Sequence, residues 1–351
     1  MIDAADRRRL ARCSELAERG RRTAAPNPVV GAVIVRDGAV VGEGWHERPG
    51  GDHAEVVALR AAGDARGATV YVNLEPCSHH GRTPPCADAL IAAGVDRVVT
   101  AMVDPTPKVN GAGIARLREA GIAVDVAGGE IERAARRQNA PWLTLALLGR
   151  PHVTYKAAVS RDGRTASPAG PRWISSPQSR AQVHELRARM GAVTVGIGTV
   201  LADDPLLTAR DTDPPAARQP LRVVFDREAR LPAGSRLAAG AGPDAPVLVV
   251  AGPGATPVAA PHVETLAVAS PAEALAELGR RRISALLLEG GATLATAFLD
   301  AGLIDRLMLY RAPIELGRGP GLFTRAVELP EPWSTAASGP DILTVTELRE
   351  A

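Results

Sequence analysis

Cysteine, aromatic residues and net charge are all scarce in this chain of 351 residues, which has three cysteines, 3% aromatic residues and a formal charge of +2. Three cysteines are too few for a disulfide framework. The small charge gives no electrostatic reason to expect nucleic acid or an anionic membrane as a partner. No apolar run approaches the roughly 18 residues that a membrane helix needs, and the first residues lack the apolar stretch of a signal peptide. We therefore expect a cytoplasmic protein.

The length and the apolar content of 46% predict two domains, each with enough apolar residues for a core. Because aromatics are few, those cores must be packed from Val, Leu, Ala and Ile, which is typical of α/β proteins. An apolar helix gives way to a turn near Leu148, so we place the domains at residues 1–148 and 149–351. Lysine is also scarce: only Lys108 and Lys156 occur among the many arginines, which hints that a compact ammonium is needed there.

Strands alternating with helices in the first domain predict a sheet between layers of helices. The apolar run 29–35 predicts a buried strand, and residues 40–46 predict its return strand. A helix is expected from His53 to about residue 62, and another carries Cys86. These two residues therefore stand near helix N-termini, where thiolates and other anionic ligands are favoured.

One imidazole, one carboxylate and two thiols, from His53, Glu55, Cys77 and Cys86, form the most informative cluster of the sequence. A histidine and two cysteines leave one tetrahedral zinc position open for water, whose pKa zinc lowers to about 7. Glu55 would then carry protons. Zinc deaminases in general show H-x-E followed by P-C-x-x-C, whereas eight residues separate the two cysteines here. A structural zinc site, with His79 or His80 as fourth ligand, is the alternative, but it leaves Glu55 without a role.

Three motifs of this half resemble the deaminase half of the bifunctional riboflavin-biosynthesis deaminase/reductases. They are Asn27-Pro-Val-Val-Gly-Ala, His53-Ala-Glu, and Glu75-Pro-Cys-Ser-His-His-Gly-Arg-Thr-Pro-Pro-Cys86. The resemblance implies a cytidine-deaminase-like α/β/α domain of three layers, zinc on the histidine and both cysteines, and a glutamate that shuttles protons. It also implies the substrate, 2,5-diamino-6-ribosylamino-4(3H)-pyrimidinone 5′-phosphate, whose C2 amino group leaves as ammonia.

Substrate contacts in this half are expected at Asn27, His46, His79 and Arg82. The chain departs from the family at two places. Val57 stands where family members often have a second histidine, so any contact made there is absent. Thr106 stands where the family usually has asparagine, in the segment 104–111 from which the resemblance implies further substrate contacts.

The second half reads as a further α/β domain, with strands at 152–160, 192–197, 221–225, 247–251, 283–289 and 306–314 and helices at 176–190, 272–281 and 292–301. Two glycine features bear on a cofactor. Gly196-Ile-Gly-Thr199 closes a strand, and Glu289-Gly-Gly-Ala-Thr293 lies between a buried strand and a helix, whose N-terminus offers free N–H groups to phosphate. Neither is the G-x-G-x-x-G fingerprint, so the spacing alone leaves nucleotide binding open.

Five motifs of this half resemble the reductase half of the same family: Val153-Thr-Tyr-Lys156, Ser160-Arg-Asp-Gly, Trp173-Ile-Ser, Val195 to Arg210, and Glu289-Gly-Gly. The resemblance implies a dihydrofolate-reductase-like fold that uses NADPH to reduce C1′ of the ribosyl group, giving a ribityl group. The implied NADPH contacts are Ala158, Trp173, Thr199, Asp203, Gly291, Ala292, Thr293, Leu294, Ala295, Thr296 and Ala297. The implied substrate contacts are Arg187, Leu207, Arg210 and Glu289.

A carbon that accepts hydride needs a proton donor close by, and we select Lys156 and Asp203 for that position. Pro171-Arg172 stand where the family tends to have a small polar residue ahead of Trp173, so Arg172 is a candidate replacement for a phosphate contact.

Three other interpretations stay open beside the bifunctional enzyme. A nucleic-acid base deaminase would share His53-Ala-Glu55 and zinc, but it should show a basic face and a C-x2-C motif. The second half could be a non-catalytic dimerisation module. The whole chain could also be a zinc-stabilised binding protein without activity. The family resemblance favours two activities on a homodimer or homotetramer.

Overall fold

The computed structural model describes residues 2–78, 85–107, 109–167 and 170–349, and the chain divides into two compact units, Met1–Leu148 and Gly149–Glu350. Both units are α/β, as the sequence predicts. Among the described residues, no helix is both long and apolar enough to cross a membrane.

The first unit is a five-stranded sheet with helices on both faces. Its elements are α1 (Ala4–Glu18), β1 (Gly31–Arg36), β2 (Ala39–Trp45), α2 (Ala54–Ala62), β3 (Thr69–Val72), α3 (Cys86–Ala92), β4 (Arg97–Thr100), α4 (Ala112–Glu119), β5 (Ala123–Val126) and α5 (Gly129–Leu148). The strand order is β2-β1-β3-β4-β5, in which β1 is antiparallel to β2 and β3 while β3, β4 and β5 are parallel.

Successive side chains of each strand point to opposite faces of the sheet, and apolar residues on both faces form two cores in this unit. Ile34 and its neighbours on one face pack with apolar residues of α2, α3 and α4. Val33, on the other face, packs with α1 and α5 and with the buried thiol of Cys13. The result is the three-layer arrangement that the sequence predicts.

A close approach between β2 and α2 fixes where α2 begins. A Cβ atom at Gly44 would lie 2.5 Å from the carbonyl oxygen of Ala54, so only glycine lets the strand run against the first turn of this helix. His53 is the N-cap residue, as expected, and its φ of −74° and ψ of 159° are those of extended backbone.

The second unit is built on a nine-stranded sheet. Its elements are β6 (His152–Val159), α6 (Pro177–Ala188), β7 (Ala192–Gly196), α7 (Ile197–Asp203), β8 (Leu221–Phe225), α8 (Arg236–Ala239), β9 (Val247–Ala251), β10 (Val263–Ala267), α9 (Pro271–Arg280), β11 (Ala285–Leu288), α10 (Ala292–Asp300), β12 (Arg306–Arg311), β13 (Ser334–Ser338) and β14 (Asp341–Glu347). The order is β10-β9-β8-β7-β11-β6-β12-β14-β13. The strands from β10 to β12 in this order are parallel, and β14 is antiparallel to both β12 and β13.

The structure differs from the sequence-based expectation in several elements of this unit, among them the additional short helix α8. β7 ends at Gly196, so Ile197-Gly-Thr199 open α7 instead of closing the strand. The strands β10, β13 and β14 are additional. Both β10 and β13 are sheet edges that stay partly exposed, so they lack the continuous apolar run by which the buried strands are recognised.

Candidate active sites

Three separate segments of the first unit bring His53, Cys77 and Cys86 together. His53 precedes α2, Cys77 lies in the loop after β3, and Cys86 is the first residue of α3. Their ligand atoms all lie within 4.8 Å of one another. His53 Nδ1 is 3.1 Å from Cys86 Sγ and 3.6 Å from Cys77 Sγ. The predicted ligand residues therefore form one cluster.

The spacing and the charge of this cluster both fit zinc. Tetrahedral zinc with bonds of about 2.3 Å to sulfur and 2.0–2.1 Å to nitrogen holds these atoms about 3.5 Å apart. A hydrogen bond from the Cys86 thiol lowers the pKa of Cys77 to about 4. The same bond to Cys77, together with burial, raises the pKa of Cys86. Two neighbouring thiolates repel each other, so both cysteines do not ionise easily on their own. A bound cation stabilises the two thiolates together. The proposed fourth ligands of a structural site, His79 and His80, lie outside the described residues.

Glu55 lies in the first turn of α2 and is only 3% exposed. Burial raises the pKa of its carboxyl group. It is not part of the cluster of ligand atoms. A protonatable carboxyl beside a metal site, yet not bound to the metal, is what general acid–base catalysis requires.

Asn27 and His46 contact each other next to this cluster. His46 Nδ1 is 3.0 Å from the carbonyl oxygen of Asp52, and His46 Nε2 is 3.0 Å from Asn27 Nδ2. Because a carbonyl only accepts, Nδ1 carries the proton and Nε2 accepts from the Asn27 amide. The His46 ring is also 5.4 Å from the His53 ring, edge to face. The other two expected contacts, His79 and Arg82, lie outside the described residues.

Two buried residues without a predicted role, Glu75 and Asn139, support this site. Glu75 accepts hydrogen bonds from four backbone N–H groups, and Asn139 hydrogen-bonds both backbone groups of Val29. For Glu75 a signal existed, since it directly precedes Pro76-Cys77. For Asn139 no such signal exists, because it follows the polar residues Arg136, Arg137 and Gln138 on α5.

The second unit brings Lys156, Arg187 and Glu289 into one largely buried cluster. Arg187 donates two hydrogen bonds to the Glu289 carboxylate, of 2.6 and 2.9 Å. Lys156 Nζ is 4.0 Å from Glu289 Oε2 and lies 6.0 Å from the centre of the Tyr310 ring. These groups come from β6, α6 and the segment after β11, and they place two cations around one carboxylate.

For both Lys156 and Glu289, burial shifts the pKa in one direction and the attraction between their charges shifts it in the other. Burial lowers the pKa of Lys156, against the attraction of Glu289. Burial alone would raise the pKa of Glu289, but Arg187 and Lys156 hold it below the ordinary value. Glu289 is therefore ionised, and of the two cations Lys156 releases its proton more easily than Arg187 does. A buried lysine with a shifted pKa beside a fixed ion pair marks a functional site.

Leu207, Arg210 and Asp203 occupy the segment that leaves α7. Leu207 is buried with a φ of 55°, a left-handed conformation that a leucine rarely adopts and that is typical of functional segments. Arg210 is exposed beside Asp211. Asp203 is also exposed, at the last position of α7, whereas the described contacts of Lys156 are with Glu289, Arg187 and Tyr310.

The first turn of α10 offers backbone N–H groups at the carboxyl ends of parallel strands. Its N-cap, Gly291, provides no side-chain hydrogen bond to that turn. A Cβ atom at Gly291 would lie 4.0 Å from Thr199 Oγ1, and one at Gly196 would lie 3.7 Å from Leu294 Cβ, so the starts of α7 and α10 are neighbours. Ligands of α/β sheets bind at this edge, and phosphate fits a helix N-terminus.

The remaining expected cofactor contacts differ in exposure. Trp173 is 55% exposed, with the guanidinium groups of Arg172 and Arg180 at 5.3 and 5.2 Å from its ring. Ala158 is half-buried on β6. In α10, Ala295 and Thr296 are buried, and Thr296 hydrogen-bonds Ala292 and Thr324.

Comparisons with known families divide the chain in the same way. Residues 4–102 match the cytidine and deoxycytidylate deaminase zinc-binding region, and residues 151–335 match the RibD C-terminal domain.

Whole-length relatives are also found. The riboflavin biosynthesis protein RibD of Escherichia coli (strain K12) is 45% identical over 335 residues, covering 88% of both chains. That of Mycobacterium tuberculosis (strain H37Rv) is 47% identical over 301 residues, covering 84% of this chain and 81% of the relative. Among solved structures, Acinetobacter baumannii RibD, form 1, is 40% identical with a TM-score of 0.85 over 98% of both chains. A Thermotoga maritima diaminohydroxyphosphoribosylaminopyrimidine deaminase/5-amino-6-(5-phosphoribosylamino)uracil reductase is 35% identical with a TM-score of 0.86 over 98% of both.

Proposed function

This chain belongs to the RibD family and is a zinc- and NADPH-dependent deaminase/reductase of riboflavin biosynthesis, and we propose which of its residues carry each reaction. Residues 1–148 form the deaminase domain, and residues 149–351 form the reductase domain. The first converts 2,5-diamino-6-ribosylamino-4(3H)-pyrimidinone 5′-phosphate to the corresponding uracil. The second reduces its ribosyl group and gives 5-amino-6-(5-phosphoribitylamino)uracil.

In the deaminase domain, His53, Cys77 and Cys86 hold zinc, which supplies Lewis acidity that lowers the pKa of water to about 7. Glu55 takes a proton from the attacking water as the water oxygen bonds to C2, and passes it to the ring nitrogen. Glu55 then takes the second proton from the oxygen now bonded to C2 and gives it to the amino group, so that the C2–N bond breaks, ammonia leaves and the oxygen stays as the C2 carbonyl. The raised pKa of the buried carboxyl lets Glu55 hold each proton that it takes up until it donates it.

Asn27 and His46 orient the pyrimidine. The neutral ring of His46 holds the Asn27 amide through its Nδ2 atom. Asn27 Oδ1 has no hydrogen-bond partner among the described residues, so it is available to accept from an N–H group of the substrate. His79 and Arg82 are the other two substrate contacts. They are assigned from the family motif alone.

In the reductase domain, NADPH supplies the hydride that reaches C1′. The balance of the reaction requires one proton as well, which the ring oxygen takes when the ribosyl ring opens. Lys156 donates that proton, because burial makes its ammonium a better acid than a free lysine. Asp203 is the second candidate for the proton donor. Its choice rests on the family motif and not on a contact in the structure. Glu289 and Arg187 hold Lys156 in place and contact the substrate, with Leu207 and Arg210 as further substrate contacts.

The first turn of α10 binds a phosphate of NADPH through its backbone N–H groups. The segment Gly291 to Leu294 makes these contacts, with Thr199 opposite. Ala158 and Trp173 line the remainder of the cofactor site. Ala295 and Thr296 serve through the helix backbone, because their side chains are buried, and Ala297 ends the segment.

We also propose that the enzyme acts in the cytoplasm as a homo-oligomer, a dimer or a tetramer. Two thiols that bind zinc must remain reduced, which the cytoplasm ensures. The oligomeric state is proposed from the family and would be measured by light scattering on the zinc-loaded protein.

The observation that carries the proposal is the convergence of His53, Cys77 and Cys86 beside a buried carboxyl that is not a ligand. The test combines zinc analysis with separate assays of ammonia release and NADPH oxidation. We expect Glu55→Gln to keep one zinc per chain, to lose ammonia release, and to keep NADPH oxidation with the deaminated substrate. Unchanged ammonia release would exclude Glu55 as the proton carrier. A wild-type chain that releases ammonia but never oxidises NADPH would confine the activity to the first domain.

A further inference from the structure

The Glu75 carboxylate is the acceptor on which two backbone segments of the deaminase domain converge. It is 4% exposed. Its Oε2 atom accepts from the N–H groups of Asp104 and Gly111, both at 3.0 Å. Its Oε1 atom accepts from the N–H groups of Gly113 and Ile114, at 2.9 and 3.2 Å. All four partners are backbone donors, and a buried carboxylate of this kind fixes the position of the chain that surrounds it.

The start of α4 depends on this carboxylate. Gly111 is the N-cap residue of α4, and it has no side chain that could accept from the first turn. Glu75, which belongs to a different segment, supplies the acceptor for Gly113 and Ile114 in that turn. Negative charge at a helix N-terminus is stabilising, because the N–H groups there are otherwise unpaired.

Direct backbone packing joins the same helix to the metal-binding segment. A Cβ atom at Gly113 would lie 1.8 Å from the carbonyl oxygen of Pro76, the residue before the zinc ligand Cys77. Only glycine allows this approach. The first turn of α4 therefore rests on Pro76, and Glu75 holds it there.

A second path leads from Glu75 toward the substrate. Asp104 donates its N–H to Glu75, and Asp104 Oδ1 in turn accepts from the N–H of Thr106, at 2.8 Å. Thr106 lies in the segment from which substrate contacts are expected and is one of the positions where this chain departs from the family. One buried side chain thus links a zinc ligand to this turn.

We propose that Glu75 is a positioning residue for the deamination, which fixes the turn Asp104–Thr106 relative to Cys77. The role deepens the proposed function and depends on it. Glu75 is not among the clustered ligand residues, and backbone N–H groups occupy both of its oxygens, so its loss acts through the geometry of the substrate site. The expected signature is a rise in KM with zinc still bound.

The test is Glu75→Gln in the full-length, zinc-loaded protein. An amide has one oxygen, so its NH2 group faces one pair of backbone donors and both of those hydrogen bonds are lost. We expect kcat/KM for ammonia release to fall about 10- to 100-fold, mainly through KM, as is usual for residues that orient metal sites. Zinc content should stay at one per chain, and NADPH oxidation with the deaminated substrate should be unchanged.

Asp6→Asn is the matched control, because Asp6 is another buried carboxylate of the same domain and is bonded to Arg97 and Tyr71. It should lower the melting temperature and leave KM unchanged. A KM for Glu75→Gln within twofold of the wild-type value would overturn the positioning role. So would a loss of ammonia release that Asp6→Asn matches at the same drop in melting temperature.

A measurement on the wild-type protein covers the case in which Glu75→Gln does not fold. The amides of Asp104, Gly111, Gly113 and Ile114 should exchange slowly with solvent deuterium and as one group. Fast exchange at Asp104 and Gly111 would contradict the proposal. A wild-type chain without ammonia release would contradict the proposed function instead, and amide exchange would still show whether Glu75 holds the two segments together.

Discussion

Asn139 hydrogen-bonds both backbone groups of Val29, in the manner of a neighbouring β-strand. Its Oδ1 atom accepts from the N–H of Val29 at 2.9 Å, and its Nδ2 atom donates to the Val29 carbonyl at 3.1 Å. Asn139 lies on α5, beyond the residues that match the deaminase zinc-binding region. Val29 is two residues after Asn27, the proposed substrate contact. α5 therefore supports the loop that presents Asn27.

Replacing Asn139 with leucine should impair deamination specifically. The N–H of Val29 would be left buried without an acceptor, which costs about 1–3 kcal/mol, while its carbonyl keeps the hydrogen bond from Asn73. We expect KM for ammonia release to rise about tenfold, since small displacements of positioning groups have effects of that size or larger. NADPH oxidation with the deaminated substrate should not change. Steady-state kinetics of both half-reactions measure this.

Thr144→Val is the control for that variant. Thr144 is buried on the same helix, and its hydroxyl donates only to the Ala140 carbonyl within α5. It should keep the wild-type KM. Equal KM values for the two variants would show that α5 stabilises the domain without positioning Asn27.

The contrast between His53 and Asn139 shows what the sequence alone could predict. His53, Glu55, Cys77 and Cys86 share short motifs whose spacing has a chemical reason, and the helix starts at His53 and Cys86 follow from local pattern. Asn139 acts on a residue 110 positions away in the sequence, and Glu75 on residues 29 to 39 positions away. Contacts of that range depend on how the layers stack, which periodicity does not encode.

The same limit applies to the reductase domain. Buried strands such as β11 were recognised by their apolar runs, whereas β13, with the sequence Ser-Thr-Ala-Ala-Ser, carries no such signal and forms only by pairing with β14. The motif containing Lys156 could be matched to a family. That Lys156 lies beside Glu289 and the Tyr310 ring required the tertiary structure.

Lys156→Met should abolish most of the reductase activity and leave ammonia release intact. If Lys156 donates the proton, kcat for NADPH oxidation should fall about 10²- to 10⁴-fold, the usual contribution of general acid catalysis. Lys156→Arg should not restore it, because arginine stays protonated at all relevant pH values. Full activity in Lys156→Arg would show that only the positive charge matters.

The pH dependence of the reductase provides a separate test of Lys156. Burial lowers the pKa of this lysine, so the ammonium loses its proton at a lower pH than a free lysine does. The rate of NADPH oxidation should therefore fall as the pH rises through that lowered pKa. A pH–rate profile with saturating NADPH and substrate measures it. A profile that stays flat up to the ordinary lysine pKa would contradict the donor role.

His152 should make the reductase domain less stable in mild acid. Burial and the neighbouring Arg306 lower its pKa to about 3, whereas an unfolded chain titrates at about 6.5. Below pH 6.5 the unfolded state binds a proton that the folded state excludes. Stability should therefore fall by up to about 1.4 kcal/mol per pH unit between pH 6.5 and 3. Urea unfolding, followed by loss of reductase activity, would measure the slope. His152→Gln should flatten it, and the same change at the exposed His262 should not.

Removal of zinc should expose one thiol selectively. Cys77 is half-buried and its pKa is lowered to about 4, so without metal it is a thiolate within reach of reagents. Cys86 and Cys13 are fully buried, and burial contributes to the raised pKa of each. After chelation at neutral pH, alkylation should therefore label Cys77 first, then Cys86 as the site opens, and Cys13 only on unfolding. Peptide mass mapping identifies the order, and NADPH oxidation should persist throughout. Equal labelling of Cys77 with and without zinc would show that its sulfur is not a ligand.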